Sequence, residues 1–581
     1  MLRSTRTRAS RAGVAGAVVT AVLAIVAASV AVDPVAAGAA SLPEGVGRPA
    51  AGTGIGTSAA LSNPQCRKDQ GTYGRLDFVL QGFGPVCVAM WQQGKDNGGV
   101  TYPGVTKDAV EVVAIVPNAQ QVAATPRQGL PMNYATGQPG TVQDAMSDAL
   151  AAYAHSFVPA YTYGRDIDME FVVSSGDDEA AQRADSVTVK AKKPFVVVDT
   201  TASSLPVFDT EIAAAKIPVF SLNATVDETL KQAPYRWGQT DPVAGLMNGA
   251  EFIGKQLAGK KATYAGDDAM HSQTRKFGLV RSDVFDLDRF NQTLRKYGAK
   301  IAPGTSLTYP GTTSTLGDPT VAQEQAPILI TKLKSAGITS VVLIADSAMV
   351  TALTKQATAN DYHPEWIYTG TQNIDLPLLA RAYDQDQWAH SFGISNVPPG
   401  SPTAATTVPN AIQWYWGPGK GTFGINYTNT VGWLVASIMY AGPKLTPQTL
   451  KQGWFSIPAA GGSADPDPTL RPRGVRSGYG HTNGLPYAEY MRGNKDFTIS
   501  WWDSETTGPP ILGFPGGKGT LWYTDGASRY YAGHYPTKPV ALFDKAKAIY
   551  QFDAPTTPPP VVACSGCPSE TGQGTPSSTS S

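Results

Sequence analysis

Short apolar, β-branched runs alternate with amphipathic stretches through the middle of this 581-residue chain. Residues 110–116, 167–173 and 194–198 are runs of this kind, and helical patterns separate them, as at residues 142–157. Strands that are short and almost wholly apolar are typical of a parallel sheet that is covered by helices on both faces. The pattern therefore predicts an α/β fold.

The alternation forms two consecutive series. The first series ends with the apolar run 217–221, and the second opens with the helical pattern 243–257 and the strand candidate 261–265. Residues 276–280 are a further strand candidate, and residues 340–345 form the clearest strand of all. Two series of similar length predict two doubly wound, Rossmann-like lobes, each with a parallel central sheet and right-handed crossovers.

The N-terminus has the pattern of an export signal. Four arginines precede an apolar run at residues 12–32, and small residues follow at 36–40. This pattern predicts a signal peptide over residues 1–40 and an extracytoplasmic mature protein. An uncleaved anchor is the alternative, because the run is long enough to span a bilayer. The first cysteine is Cys66, so a lipid anchor on an N-terminal thiol is not expected.

The charge of the mature chain bears on its partners. Removing four Arg and one Asp with the signal peptide from 46 basic and 46 acidic residues leaves 42 and 45, a formal charge of −3. Such a surface does not attract a polyanion. No nucleic-acid partner is therefore expected.

Four cysteines in an exported chain are typical of disulfides. Their spacing favours Cys66 with Cys87 and Cys564 with Cys567, although three pairings are possible. A zinc ion held by all four thiolates is the alternative, since two of them have ligand spacing. The export signal favours oxidation.

Several stretches resemble the type I periplasmic binding proteins, in particular the branched-chain amino-acid-binding branch that serves ATP-driven importers. Gly104-Val-Thr, followed by an acidic residue and an apolar run, is similar to that family's approach to its first strand. Residues 217–224 resemble its fourth strand and the loop after it, residues 260–267 the opening of its second lobe, and residues 333–344 the middle of that lobe. The resemblance spans roughly residues 100–400.

The resemblance implies the type I periplasmic-binding fold, in which the chain crosses between the lobes three times. The crossings are expected near residues 236–240, near residues 396–407 and after about residue 458. The expected division is a signal peptide (1–40), a leader and cysteine-bearing extension (41–104), lobe 1 (105–236 and 401–458), lobe 2 (237–400 and 459–553) and a disordered Pro/Ser/Thr-rich tail (554–581).

Ligands of open parallel sheets bind beyond the carboxyl ends of the strands, where helix N-termini present unpaired N–H groups. The first lobe offers two such loops, and the resembled family uses the first of them for its ligand. Local capping or turn formation is the alternative at both loops. The first-lobe ligand candidates are Thr200, Thr201, Ser203 and Ser204 after one strand and Asn223, Ala224 and Thr225 after the next.

The second lobe is expected to contribute polar residues that follow its own strands, although any of them is also compatible with an ordinary turn. Amino-acid binders of the family usually supply a Tyr and an acidic side chain here, whereas this chain offers His271 and Gln372, with Asp346 and Asp375 as the nearby acids. A neutral or anionic ligand is therefore as compatible with the sequence as an amino acid. The second-lobe candidates are His271, Gln273, Asp346, Ser347 and Gln372.

Several aromatic residues have two interpretations. Trp237, Tyr235 and Trp366 could stack on a ligand in the cleft, but an aromatic near a strand or crossing is more often core. The pairs 501–502 and 530–531 suit a sugar platform, and strand packing explains them equally well.

The usual constellations of a secreted hydrolase are missing from the sequence. It has no Gly-x-Ser-x-Gly elbow and no His-Glu-x-x-His pair, and its six histidines show no ligand spacing. We therefore expect no catalytic residue, metal or cofactor. The resemblance implies a monomeric solute-binding protein that delivers a small polar molecule to the membrane permease of an ABC importer. A ligand-sensing receptor of the same fold and a secreted hydrolase are the alternatives.

Overall fold

In the computed structural model, the residues that the structure describes lie in the ranges that follow. They are 58, 62, 66–67, 75–76, 91, 94–124, 132–133, 138–155, 162–201, 205–221, 224–238, 242–311, 316–400, 425–455, 476–477, 484–485, 487, 490–491, 493–509 and 516–551.

The first parallel sheet has five strands in the order β2-β1-β3-β4-β5. These strands are β1 (Ala109–Val116), β2 (Asp166–Val173), β3 (Val196–Asp199), β4 (Val219–Ser221) and β5 (Arg236–Gly238). Each adjacent pair is parallel. Because β1 and β3 lie inside the sheet and are covered on both faces, they are apolar along almost their whole length.

Helices connect and cover the strands of lobe 1. They are α1 (Ala119–Ala124), α2 (Val142–His155), α3 (Glu179–Ala191), α4 (Pro206–Ala214) and α5 (Val226–Gln232). On one face, Phe208 and Ile212 of α4 pack with Val113, Ile115 and Val197 of the sheet in one buried cluster. Burial of these side chains provides the main stabilisation of the lobe.

The second sheet repeats the same order and is then extended. Its parallel part runs β7-β6-β8-β9-β10, and β11, β12 and β14 continue it with antiparallel pairing, while β13 pairs with β11. The strands are β6 (Phe277–Ser282), β7 (Ile301–Tyr309), β8 (Ser340–Ile344), β9 (Glu365–Tyr368), β10 (Ser391–Ser395), β11 (Asp496–Gly508), β12 (Gly517–Thr524), β13 (Arg529–Tyr531) and β14 (Ala548–Ile549).

The remaining helices belong to the second lobe, apart from the last two. They are α6 (Pro242–Phe252), which continues as a π-helical turn (Ile253–Leu257), α7 (Asp268–His271), α8 (Asp288–Lys296), α9 (Pro319–Ser335), α10 (Ser347–Ala359), α11 (Pro377–Ala380), α12 (Gln385–Trp388), α13 (Ile425–Ala441) and α14 (Pro447–Phe455).

The chain crosses between the two lobes three times. The first crossing follows β5, because α6 packs on β10 and β11 of the second sheet. The second follows β10, because α13 packs against α2 of the first lobe. The third follows α14 and returns the chain to β11, and on this return Met491 pairs with Gly238 at the end of β5. The two doubly wound lobes and their three crossings agree with the expected type I periplasmic-binding fold.

One predicted strand is wrong. Residues 261–265 form no strand, and the first strand of the second sheet is β6. The backbone of residues 260–262 pairs instead with residues 273–275, through the Lys261–Thr274 bridge and a 2.9 Å hydrogen bond from Ala262 N to Gln273 O. A segment of five residues does not by itself distinguish a sheet strand from a local ribbon.

The aromatic C-terminal part belongs mainly to the core of the second lobe. Residues 497–502 lie in the first half of the 13-residue strand β11. Its Trp501 and Trp502 lie on opposite faces and are both buried. Among the described residues, the helices are all too short or too polar to cross a bilayer.

Candidate functional site

The carboxyl ends of the two sheets lie beside the first crossing. Strand β5 ends at Gly238, and α6 begins four residues later at Pro242. In the first turns of α6, Gly245 packs so closely on the carboxyl end of β9 that a Cβ there would lie 3.0 Å from Thr369 O. The loops that follow the strands in both lobes therefore border one interlobe region, which we call the cleft edge. The opposite ends of the strands form the amino edge.

The loop after β3 uses its threonine hydroxyls internally. Thr200 Oγ1 donates to Ile115 O at 2.7 Å, and Thr201 donates from both N and Oγ1 to Asp199 Oδ1, at 2.8 and 2.6 Å. Both threonines are buried. Their hydroxyls thus shape the loop and are not presented to a ligand in this conformation. Ser203 and Ser204 of the same loop lie outside the described residues.

A buried charged network lies beneath this loop. Asp209 of α4 accepts a hydrogen bond from Ser221 and pairs with Arg236 at 3.2 Å, and Glu228 lies 3.6 Å from the same guanidinium. Burial raises the pKa of Asp209 to about 6, against the lowering effect of Arg236. Burial, followed by repulsion from Asp209, also raises the pKa of Asp199. The network holds the carboxyl ends of β3 and β4 in place.

The loop after β4 leads directly into α5. Thr225 is the N-cap of this helix and forms a capping box with Glu228, whose Oε2 lies 2.7 Å from Thr225 Oγ1. Ala224 is buried, and Asn223 lies outside the described residues. The hydroxyl of Thr225 is therefore explained by capping.

Asp346 and Ser347 follow β8 at the cleft edge of the second lobe. Asp346 caps α10 through a 2.9 Å bond from Met349 N to its Oδ1, and its Oδ2 accepts a 2.6 Å bond from Tyr309 OH. The carboxyl group is buried against Gly317, and this burial raises its pKa. Ser347 is also buried, with its hydroxyl 3.4 Å from Leu316 O. Both side chains brace the cleft edge from inside.

The loop after β9 contains Gln372 and Asn373, which both have left-handed backbone conformations with φ of 54° and 51°. Both are only half-buried, so they are more accessible than Asp346. Three residues further on, Asp375 is fully buried and accepts a hydrogen bond from Ser395 at the end of β10. Its Oδ1 has no hydrogen-bond partner in the described part of the chain, and burial raises its pKa to about 6.

His271 and Gln273 lie at the amino edge, which differs from the expectation that they face the cleft. His271 Nε2 lies 2.7 Å from Ala265 O, and Gln273 donates to Ala269 O at 3.0 Å. Their loop is held by the carbonyl of His363, which precedes β9, and by the ring of His390, which precedes β10. The misplacement follows from taking residues 261–265 as the first strand of the lobe, which put the loop after a strand instead of before β6.

The same error hid a segment that does lie at the cleft edge. Because β6 ends at Ser282, residues 283–285 follow its carboxyl end beside the end of β7. Asp283 N donates to Tyr309 O at 3.0 Å, and Asp283 Oδ1 accepts from Gly311 N at 2.9 Å. Val284 is 44% exposed. The apolar Phe-Gly-Leu-Val run was the sequence signal that could have identified this loop.

The aromatic candidates for ligand stacking belong to the core. Trp366 is fully buried, and Trp237 is enclosed by Trp454, Phe455 and Tyr490. This aromatic cluster joins α14 and the third crossing to the end of β5. Of the remaining candidates, Trp501 and Trp502 are buried, and Tyr235, Tyr530 and Tyr531 are partly buried.

The predicted disulfides fall largely outside the described residues. Cys66 begins a two-residue antiparallel ladder with residues 75–76, while Cys87, Cys564 and Cys567 are not among the described residues. Within the described ranges, no three His, Cys, Asp or Glu side chains are grouped so as to hold a metal ion.

Comparison with known proteins gives structural neighbours only. No protein-family model and no curated protein sequence matches the chain significantly. Among solved structures, it is similar to a solute-binding protein of an ABC transporter from Rhodopseudomonas palustris BisB5 in complex with 3,4-dihydroxybenzoic acid. The two share 12% identity over 74% of this chain and 99% of the other, with a TM-score of 0.42.

The names of two further structural neighbours specify different ligands. One is a fatty acid ABC transporter substrate-binding protein from Thermomonospora curvata (13% identity, 79% and 98% coverage, TM-score 0.41). The other is a leucine-, isoleucine-, valine-, threonine- and alanine-binding protein from Brucella ovis in a closed conformation (10% identity, 75% and 99% coverage, TM-score 0.43). The order of the strands in the two sheets, and not this level of overlap, identifies the fold.

Proposed function

We propose that this chain is an extracytoplasmic solute-binding protein that captures a small polar molecule by lobe closure and delivers it to an ABC importer. The observation that carries the proposal is the pair of sheets with the same 2-1-3-4-5 order, joined by three crossings beside their carboxyl ends. Open parallel sheets bind ligands at this end. A molecule held by both lobes stabilises the closed form over the open one.

The hydrogen bonds of the described side chains limit which candidate residues can contact a ligand. Thr200, Thr201, Thr225 and Asp346 are committed to internal hydrogen bonds. The ligand therefore contacts main-chain N–H groups and a smaller set of side chains. In this proposal these are Ser203, Ser204 and Asn223 from the first lobe and Gln372 with the segment 283–285 from the second.

The chemistry of this set favours a ligand with hydrogen-bonding groups, such as an amino acid, an amide or a small organic acid. At the cleft edge Asp346 and Asp375 are buried, whereas Asp283 is exposed and accepts one backbone hydrogen bond on Oδ1. Of these three acids, Asp283 is the one that an ammonium group can reach. In this proposal a neutral molecule or an anion fits the edge as well as an amino acid does, and the protein performs no covalent step on it.

A thermal-shift screen of the mature chain, residues 41–581, tests the proposal. Amino acids, amides, short-chain acids and sugars are supplied in large excess, and a ligand at one hundred times its Kd is expected to stabilise the protein by about 2.7 kcal/mol. Small-angle scattering with the best ligand should show a smaller radius of gyration, because the lobes close.

Matched variants locate the site. The double variant Ser203→Ala/Asn223→Ala is expected to lose the ligand-induced shift, whereas Ser272→Ala, an exposed serine at the amino edge, should retain it. If no class of small molecule raises the melting temperature or compacts the protein, the proposal is wrong. A shift that survives in the double variant would place the ligand elsewhere.

A further inference from the structure

A cavity of about 160 Å³ lies at the amino edge of the second lobe, at the opposite end of the sheet from the cleft edge. One wall is the ribbon in which Arg275 N donates to Lys260 O at 2.9 Å. The other wall is the C-terminal segment, which Gln256 holds by donating to Lys538 O at 3.0 Å and accepting from Val540 N at 3.1 Å. We call this cavity the basic pocket; it is lined by Gln256, Leu257, Lys260, Lys261, Thr263, Tyr264, Arg275, Pro539, Val540 and Leu542.

The only carboxylate bonded to the pocket's cations in the described structure is already saturated. Glu365, at the start of β9, is fully buried and accepts from Arg275 Nε and Nη2 at 2.7 and 2.8 Å. It also accepts from Ser340 Oγ at 2.6 Å and from Tyr264 N at 3.1 Å. Four hydrogen bonds fill its two oxygens, so Glu365 neutralises Arg275 and offers nothing further to the pocket.

Two lysines are left without a counter-charge. Neither Lys260 nor Lys261 lies within 4.0 Å of a carboxylate among the described residues, in contrast to Lys255, whose Nζ is 2.6 Å from Glu251 Oε1 one turn earlier. Lys260 is half-buried, and its pKa is lowered by that burial and by the positive charge of Arg275. An unpaired, partly desolvated ammonium is costly, and a bound anion relieves that cost.

Four other lining residues are apolar. Leu257, Pro539, Val540 and Leu542 face the same cavity as the two lysines. A cavity of this size exceeds what a single water molecule needs. A small ligand that is charged at one end and apolar at the other has the matching polarity.

We propose that the basic pocket is a second binding site, separate from the cleft edge, for a small organic anion such as a short-chain monocarboxylate. The carboxylate lies between the ammonium groups of Lys260 and Lys261, and the alkyl part packs on Leu257, Val540 and Leu542. This site depends on residues at the amino edge only, so it stands whether or not the cleft edge binds a solute.

Saturation-transfer NMR and calorimetric titration with butyrate test this site on the mature protein. Butyrate is expected to bind the wild type, and Lys260→Gln should weaken its affinity by about tenfold because one charge-assisted bond is lost. Lys332→Gln, on the exposed face of α9, is the matched control and should bind as the wild type does. n-Butanol, which has the same alkyl chain without the charge, should not bind measurably.

Three results would overturn the proposal. One is the absence of butyrate binding to the wild type, and another is equal affinity in wild type and Lys260→Gln. The third is binding of n-butanol as tight as that of butyrate, because the lysines would then contribute nothing. Lys261→Gln provides a second, more exposed substitution, and melting temperatures of all variants establish that each is folded.

Discussion

At the scale of single residues, the second lobe contains a carboxyl group whose surroundings oppose its ionisation. Asp375 is fully buried, one oxygen accepts from Ser395, and the other has no partner in the described part of the chain. Tyr368, Tyr383 and Tyr523 lie near enough for its charge to raise their pKa values in turn. The site therefore favours the protonated carboxyl, which can donate as well as accept.

Replacing this group by its neutral isostere should stabilise the protein at neutral pH. The pKa of Asp375 is raised to about 6 in the folded state, so the folded form binds the proton more tightly than the unfolded form does. Its stabilising contribution is complete below about pH 4 and is lost as the pH rises through 6. The stability of Asp375→Asn relative to wild type should thus rise by about 3 kcal/mol between pH 4 and pH 7.5.

Urea denaturation at the two pH values measures this difference. Asp386→Asn, which changes an exposed carboxyl on α12, is the control. An Asp375→Asn variant whose relative stability does not change with pH would mean that the carboxyl is ionised without cost. Polar atoms beyond the described residues would then have to solvate it.

Single polar residues also show where sequence reasoning stops. Thr201, Thr225 and Asp346 follow strand ends at the cleft edge, but each is satisfied by a local partner. A cap and a ligand contact use the same residue types at the same point in the chain. Only the direction of the side chain in the folded protein separates the two.

At the scale of elements, the turn into β1 requires glycine at position 104. Gly104 has φ of +76°, and a Cβ at this position would lie 2.1 Å from the backbone nitrogen of Phe195. Gly259 has a similar φ of +72° but has open space where a Cβ would be. The two glycines therefore separate the cost of a left-handed backbone from the cost of a steric overlap.

Alanine at each position should have different consequences. Gly259→Ala is expected to cost about 1 to 2 kcal/mol, which is the penalty of the left-handed conformation. Gly104→Ala is expected to lower the free energy of unfolding by the same amount and by about 1 to 3 kcal/mol more, because the backbone at the start of β3 must be displaced. Urea midpoints followed by tryptophan fluorescence compare the two, and equal midpoints would show that the turn at Gly104 relaxes freely.

The elements of the second lobe show why a local pattern can mislead. The runs 261–265 and 276–280 both look like strands, and only the second enters the sheet, as part of β6. Segment 261–265 lies at the amino edge because the carboxylate of Glu365 accepts a hydrogen bond from Tyr264 N, and Gly266 N donates to His363 O. These partners lie about one hundred residues further along the chain, so no window of sequence contains them.

At the scale of the whole molecule, one described ion pair links the lobes directly. Arg289 of α8 lies 3.3 Å from Asp227 of α5, and its guanidinium is 4.9 Å from the centre of the Tyr487 ring. Val226, beside Asp227, packs into the core of the second lobe. We therefore expect this contact to influence how far the lobes separate.

Removing the pair should change lobe separation more than stability. Arg289→Gln is expected to lower the free energy of unfolding by less than about 1 kcal/mol, because a partly exposed pair contributes little. The same energy shifts an equilibrium between open and closed lobes by up to about fivefold. Small-angle scattering of the ligand-free protein should show a larger radius of gyration for Arg289→Gln than for wild type.

Arg295→Gln, on the same helix and exposed, is the matched control. Raising the salt concentration should increase the radius of gyration of the wild type toward that of Arg289→Gln, because salt screens partly exposed charges. An unchanged radius of gyration in Arg289→Gln would mean that this ion pair does not influence the lobe separation.

The sequence by itself determined the two β-α series and the parallel sheets, whereas the three crossings were expected from the family resemblance. This was possible because the patterns of strand burial and helix amphipathicity depend on residues that are close together in the sequence. The tertiary structure alone decided which polar side chains face the cleft edge, that His271 and Gln273 lie at the amino edge, and that Lys260 and Lys261 share a pocket with the C-terminal segment. These placements depend on partners distant in sequence, whose positions only the folded chain fixes.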